Sequence, residues 1–246
     1  MQGELSFGPQ LKRIALFVGL CIGLVACDEV ATVPQTAPAV VPAQSAAPAN
    51  RAQMFAQVQA RVEPVAERLC RSRGIGRNCD FLIRVDPRRN QPANAYQSED
   101  ENGRPVITFT QKMLTRVANE DELAFVMSHE AAHHISNHLT RQRQNAAAGA
   151  AVFAGLASLT GGSAADVTNA QRIGAAVGAR TYSKDFELEA DELGTIITAR
   201  SGFDPLRGAL FFSRIPDPGD QFLGTHPPNG DRIKAVRRTA RSLGLS

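Results

Sequence analysis

An α+β fold, mostly helical with a small β-sheet beside a histidine-bearing helix, follows from three features of this 246-residue chain. Apolar residues recur at helical spacing in several long segments. Only two short runs and one fragment have β character, and a further stretch is dense in the small residues that let helices pack closely. Composition permits such a fold: hydrophobic residues make up 43% of the chain and charged ones 21%, enough to build a core and solvate it. A net charge of +3, no Trp and two Tyr provide neither a basic footprint nor stacking rings, which argues against nucleic acid as a partner.

Lys12 and Arg13 precede an apolar run from Ile14 to Ala26. It is too short to span a bilayer and suits the core of a signal peptide. Leu24-Val25-Ala26-Cys27 resembles a bacterial lipobox, which implies cleavage before Cys27 and a lipid anchor on it. An ordinary cleaved signal or a short buried helix is the alternative. Residues 1–26 thus read as a lipoprotein signal peptide, 27–50 as a flexible Ala/Pro-rich tether, and 51–246 as the folded domain. The expected location is the cell envelope, facing the periplasm. Asp28 slightly favours the inner membrane and leaves the outer one open. Cys70 and Cys79 remain after export. A disulfide between them is favoured over a two-thiol metal site and would contribute roughly 2.5–3 kcal/mol in the chain-entropy picture.

Within the domain, Phe55, Val58, Val62, Val65 and Leu69 mark a helix over about 51–73, which Pro64 is expected to kink or split. Phe81–Val85 and Pro105–Thr110 read as strands, with Asn94-Ala95-Tyr96 as a third, irregular one. Asn119-Glu-Asp-Glu122 opens a helix expected to run to about His138. The Ala/Gly-rich residues 146–180 predict a helical hairpin, packed on the domain in preference to touching the bilayer surface. Helices are also expected over about 184–201, closed by Gly202, and 229–243.

The chemistry concentrates in His129-Glu130-Ala131-Ala132-His133. Positions i and i+4 share a helix face, so both imidazoles can reach one Zn²⁺, with Glu130 beside its water. A third ligand is sought in Phe186-Glu187-Leu188-Glu189-Ala190-Asp191, where Glu187 and Asp191 share a face and Glu189 points elsewhere. Glu187 can bind metal while Asp191 accepts a ligand imidazole N–H; a merely solvated acidic face is the bland alternative. His134, about 100° round the helix from His133, is expected to miss the metal.

Taken together, His129-Glu130-x-x-His133 and the later Ser183-x-Asp-x-Glu187-x-x-Ala190-Asp191 resemble the HtpX/BepA/Oma-type zinc metallopeptidases, the family of the CAAX prenyl proteases. Thr225-His226-Pro227 with Arg232, and Asn94-Ala95 before the metal-binding helix, extend the resemblance over about residues 55–240. It implies a zincin-like fold and one zinc per chain on His129, His133 and Glu187. Glu130 would be the general base, while Asp191 and Arg232 would support the ligands. His226 would stabilise the oxyanion or gate the open position, with Tyr182 the next oxyanion donor. His138 would be structural, and a substrate strand would add at Asn94 and Ala95. Lys184, Gly230 and Asp231 depart from the family's usual residues.

The reading is a lipid-anchored zinc endopeptidase acting on unfolded or misassembled envelope proteins. Its rivals are a chaperone-like assembly factor whose site is mostly gated by His226, and a lipoprotein holding structural zinc. Glu130 weighs against the last, because a closed structural site has no use for a base beside water.

Overall fold

A computed structural model describes residues 48–73, 76–181, 183–219, 224 and 226–246. The expected signal peptide, Cys27, Asp28 and the tether up to residue 47 lie outside the described residues, as do Tyr182 and Thr225.

The first helix, α1, is Pro48–Ser72 and begins three residues before the boundary that composition indicates. It buries Phe55, Val58, Val62, Val65 and Ala66. Of the expected kink or split at Pro64, the split does not occur: α1 is continuous through it. Proline removes one N–H, but Pro64 and Ala60, whose carbonyl loses its partner, both lie on the exposed face where water can replace the bond. A disulfide joins Cys70 near the end of α1 to Cys79, with Cα atoms 5.7 Å apart.

Three strands follow: β1 (Leu82–Val85), β2 (Ala95–Glu99) and β3 (Pro105–Phe109). Their order is β1-β3-β2, with β1 parallel and β2 antiparallel to the central β3. Every residue of β3 is buried, and Phe109 meets Phe55 of α1 edge-to-face at 5.5 Å. The irregular fragment at Asn94–Tyr96 is the start of β2, which continues to Glu99 as an edge strand.

A short helix α2 (Gln111–Arg116) leads to α3 (Glu120–Ile135), nearly all of it buried. Asn119 caps α3 by accepting the Glu122 N–H at 3.0 Å, while the Glu122 carboxylate accepts the Ala118 N–H at 2.7 Å and pairs with Arg214. That close relative of the capping box explains how Glu122 is buried without loss. The helix does not reach His138. Asn137 adopts φ 62°, a left-handed conformation Asn tolerates better than most residues, and the chain restarts in a new direction as α4 (His138–Leu159).

Helices α4 and α5 (Ala164–Thr181) form the hairpin foreseen from the Ala/Gly-rich stretch. A side chain on Gly149, Gly174 or Gly178 would run into the opposing backbone, so glycine sets this close approach. The expectation that the hairpin packs on the domain is corrected. Only His138 of α4 and Gly174 of α5 are buried, and Val152, Leu156, Leu159 and Ile173 are exposed. The small faces are spent on each other. No helix among the described residues is long and apolar enough to cross a membrane.

Next, α6 (Ser183–Arg200) packs on α3 and ends before Gly202 at φ 77°. Asp204 caps α7 (Pro205–Gly208), a 3-10 turn covers Ala209–Ser213, and α8 (Asn229–Ser242) closes the fold against α6. The core runs from Val58 and Val62 through Ile107 and Phe109 to Leu123, Met127 and Ile197.

Candidate metal centre

Two helices set the centre. His129 and His133 stand one turn apart on α3, and α6 crosses them closely because Gly194 has no side chain. A Cβ there would lie 3.1 Å from both the Cα and the N of His129. This contact brings Glu187 to the imidazoles. Nε2 of His129 and Nε2 of His133 are 3.0 Å apart; Glu187 Oε2 is 3.4 Å from the first, and Oε1 is 3.3 Å from the second.

These donors suit zinc. Ligand atoms at about 2.0–2.1 Å around a tetrahedral ion sit about 3.3 Å from one another, close to the separations found. Two imidazole lone pairs facing at 3.0 Å repel unless a proton or a cation lies between them. Glu187 Oε2 is buried without a hydrogen bond of good geometry, a cost that a bound cation would remove. His129, His133 and Glu187 are thus a set able to hold a metal ion.

Around them is a buried ionic frame. Asp191 Oδ1 lies 2.9 Å from His129 Nδ1, so that nitrogen donates and Nε2 is left bare toward the ligand set. Arg232 of α8 grips both Asp191 oxygens, at 2.7 and 2.8 Å, and approaches Glu187 Oε2 at 3.3 Å. Its guanidinium lies 4.1 Å over Phe212. Sequence reasoning had no signal for Phe212, or for Asn229, whose amide donates to the Phe212 carbonyl at 2.9 Å and ties the 3-10 turn to α8.

Without metal the charges redistribute. Burial and Arg232 both favour a neutral His129, but hydrogen bonds to Asp191 and Glu187 outweigh them and raise it to about 9. Burial works against ionised Glu187, yet the close imidazoles of His129, His133 and His226 hold it well below the usual carboxylate range. Burial pushes the Glu130 carboxyl up, against the pull of His129 and His133.

Glu130 and His226 line one cleft of about 740 Å³ with the three ligands, Asn94, Ala95 and Arg232. His226 Nδ1 is 3.1 Å from Glu187 Oε2, and its ring is half exposed at the open side. Along the cleft, Asn94 accepts the Thr110 N–H at 2.9 Å. In antiparallel alternation, Ala95, Gln97 and Glu99 therefore turn their backbone groups away from β3, toward the free edge. His134 points elsewhere: Nε2 donates to the Asn78 carbonyl at 2.8 Å, and the ring meets Phe81. His138 is no member of the ligand set. Its Nδ1 contacts Nδ1 of His133 at 2.8 Å.

The sequence profile of peptidase family M48 matches residues 54–240. The chain is 37% identical over 139 residues to a putative beta-barrel assembly-enhancing protease of Vibrio cholerae, covering 50% of the chain and 28% of the relative. It is 31% identical over 147 residues to the beta-barrel assembly-enhancing protease of Escherichia coli O157:H7, covering 51% and 28%. The Yersinia pestis protein of that name is 30% identical over the same length. The chain therefore spans little more than a quarter of the length of these relatives.

Proposed function

Because the chain belongs to peptidase family M48, a family of zinc metallopeptidases, we propose that it is a zinc-dependent endopeptidase of the cell envelope, acting on unfolded or misassembled envelope proteins. The observation that carries this reading is the convergence of His129, His133 and Glu187 beside Glu130 on the floor of an open cleft. Bound there, one zinc would supply a Lewis acid that polarises a peptide carbonyl and makes water acidic near neutrality. Asp191 keeps the His129 proton on Nδ1, away from the ligand set. Glu130, its carboxyl raised by burial, takes a proton from the attacking water and returns it to the departing amine. His226, at the open side, donates to the developing oxyanion. The expected substrate edge at Asn94 and Ala95 is shifted, because the Asn94 backbone is spent on Thr110; Ala95 and Gln97 offer main-chain hydrogen bonds to an extended substrate, which needs little sequence preference. An anchor on Cys27 would hold the domain at the membrane, with Asp28 slightly favouring the inner one. The names of the relatives support an envelope substrate.

The contact of His226 with Glu187 supports a second reading, an assembly factor whose cleft is mostly gated by this residue. One experiment tests both: zinc content and casein cleavage of the chain, of Glu130→Gln and of His226→Ala. The peptidase reading expects one zinc per chain in all three and cleavage reduced about 10²–10⁴-fold in Glu130→Gln. Cleavage that rises in His226→Ala supports gating. No zinc, or equal cleavage by Glu130→Gln, refutes the peptidase.

A further inference from the structure

To present a bare Nε2 to the ligand set, an imidazole must carry its proton on Nδ1 and find an acceptor there. For His129 the acceptor is Asp191. For His133 the group at Nδ1 is another imidazole, Nδ1 of His138, at 2.8 Å. Two such nitrogens meet at that distance only if one donates and the other accepts. With Nε2 of His133 bare, His133 donates, His138 accepts, and the proton of His138 sits on its own Nε2. That buried nitrogen makes no well-aligned hydrogen bond and lies at ion-pair distance, 3.2 Å, from Glu189 Oε2. Glu189 is held in turn by Arg141 Nη1, at 2.7 Å from the same oxygen.

The residues are also packed for this role. His138 stacks on Phe186, with centroids 4.7 Å apart and planes 11° from parallel, and the Arg141 guanidinium lies 4.3 Å from the same ring. His138 and Arg141 belong to the first turns of α4, whereas Phe186 and Glu189 belong to α6. The left-handed Asn137 makes the meeting feasible, because it turns α4 so that His138 folds back over His133.

We propose that His138, Glu189 and Arg141 form a positioning relay that keeps His133 in the Nδ1–H tautomer with Nε2 aimed at the metal; this rests on the zinc reading above. His138 accepts the His133 proton, and the Glu189 carboxylate, fixed by Arg141, faces the far nitrogen of His138 at ion-pair distance. None of the three relay residues belongs to the ligand set.

The test compares His138→Phe, which keeps a ring against Phe186 but removes the acceptor, with His138→Asn, whose side-chain oxygen can occupy the place of Nδ1. Zinc affinity is measured by chelator competition and the ligand field by the visible spectrum of the cobalt-substituted chain; melting of the metal-free chain monitors folding. The relay predicts a 10–100-fold loss of affinity and a shifted cobalt spectrum in His138→Phe, with recovery toward the original in His138→Asn. Unchanged affinity and spectrum in His138→Phe overturn it, as does an equal loss in both variants. Should the unaltered chain bind no zinc, the zinc reading fails separately. Imidazole ¹⁵N NMR of the metal-free chain then decides the relay: a His133 Nδ1 proton that His138→Phe loses supports it, and its absence overturns it.

Discussion

Asp191 and Arg232 form the most consequential pair outside the ligands, since both are buried and each satisfies the other's charge. Removing Asp191 leaves Arg232 facing Glu187 at 3.3 Å, so the freed guanidinium competes for a metal ligand. Asp191→Ala is expected to lower zinc affinity about 10–100-fold. It should also cost about 3–5 kcal/mol of stability, because a buried charge loses its partner. Denaturant unfolding and chelator competition separate the two effects. In the double variant Asp191→Leu with Arg232→Met, stability should recover while zinc affinity stays low; recovery of both would show that the pair does not position His129. At this scale the sequence was informative about Glu187 and Asp191, since their i, i+4 spacing puts them on one face. It also turned Glu189 away from that face, as found, but gave no sign that Glu189 lies beside His138.

The relation between α3 and α6 decides whether the ligands meet at all. Gly194 permits it, and a larger side chain there would press on the His129 backbone. Gly194→Val should cost about 1–3 kcal/mol through overpacking and weaken zinc binding by moving Glu187 off His129 and His133. Gly155→Ala on α4, where a Cβ meets nothing within 4 Å, is the control and should gain up to about 1 kcal/mol from helix propensity, with zinc binding unchanged. Calorimetry and zinc titration read both. If Gly194→Val binds zinc normally, the close crossing is not what sets the site. Other element-level features resist sequence reading for local reasons. Nothing but Asn137 marks the end of α3, and Asn is ordinary in many conformations. Pro64 falls on a solvent face, where a helix absorbs it.

The whole molecule's response to pH follows from its buried histidines. Burial lowers His134, and burial with the nearby His133 lowers His138 to about 4. Such groups bind fewer protons folded than unfolded, so as pH falls below about 6.5 they withdraw stability. Glu187, depressed when folded, withdraws more below the usual carboxylate range. His129 is raised to about 9, so its stabilisation is complete below about 6.5 and is lost as pH climbs toward 9. The metal-free chain should therefore melt highest near pH 6.5 and lower at 4.5 and at 9. Zinc replaces the His129 proton, so the loaded chain should keep its melting temperature at pH 9. An alkaline decline of equal size with and without zinc would contradict the assignment. By itself the sequence determined which chemistry was at hand. Helical spacing aligned His129 with His133 and Glu187 with Asp191, and Ala and Gly density produced the hairpin, because these depend on neighbours a turn apart. Tertiary structure decided what those groups meet. The crossing at Gly194, the approach of Arg232 from the last helix, the edge position of β2 and the contact of His138 with His133 join residues through packing, whose geometry is not encoded in the spacing of any one segment.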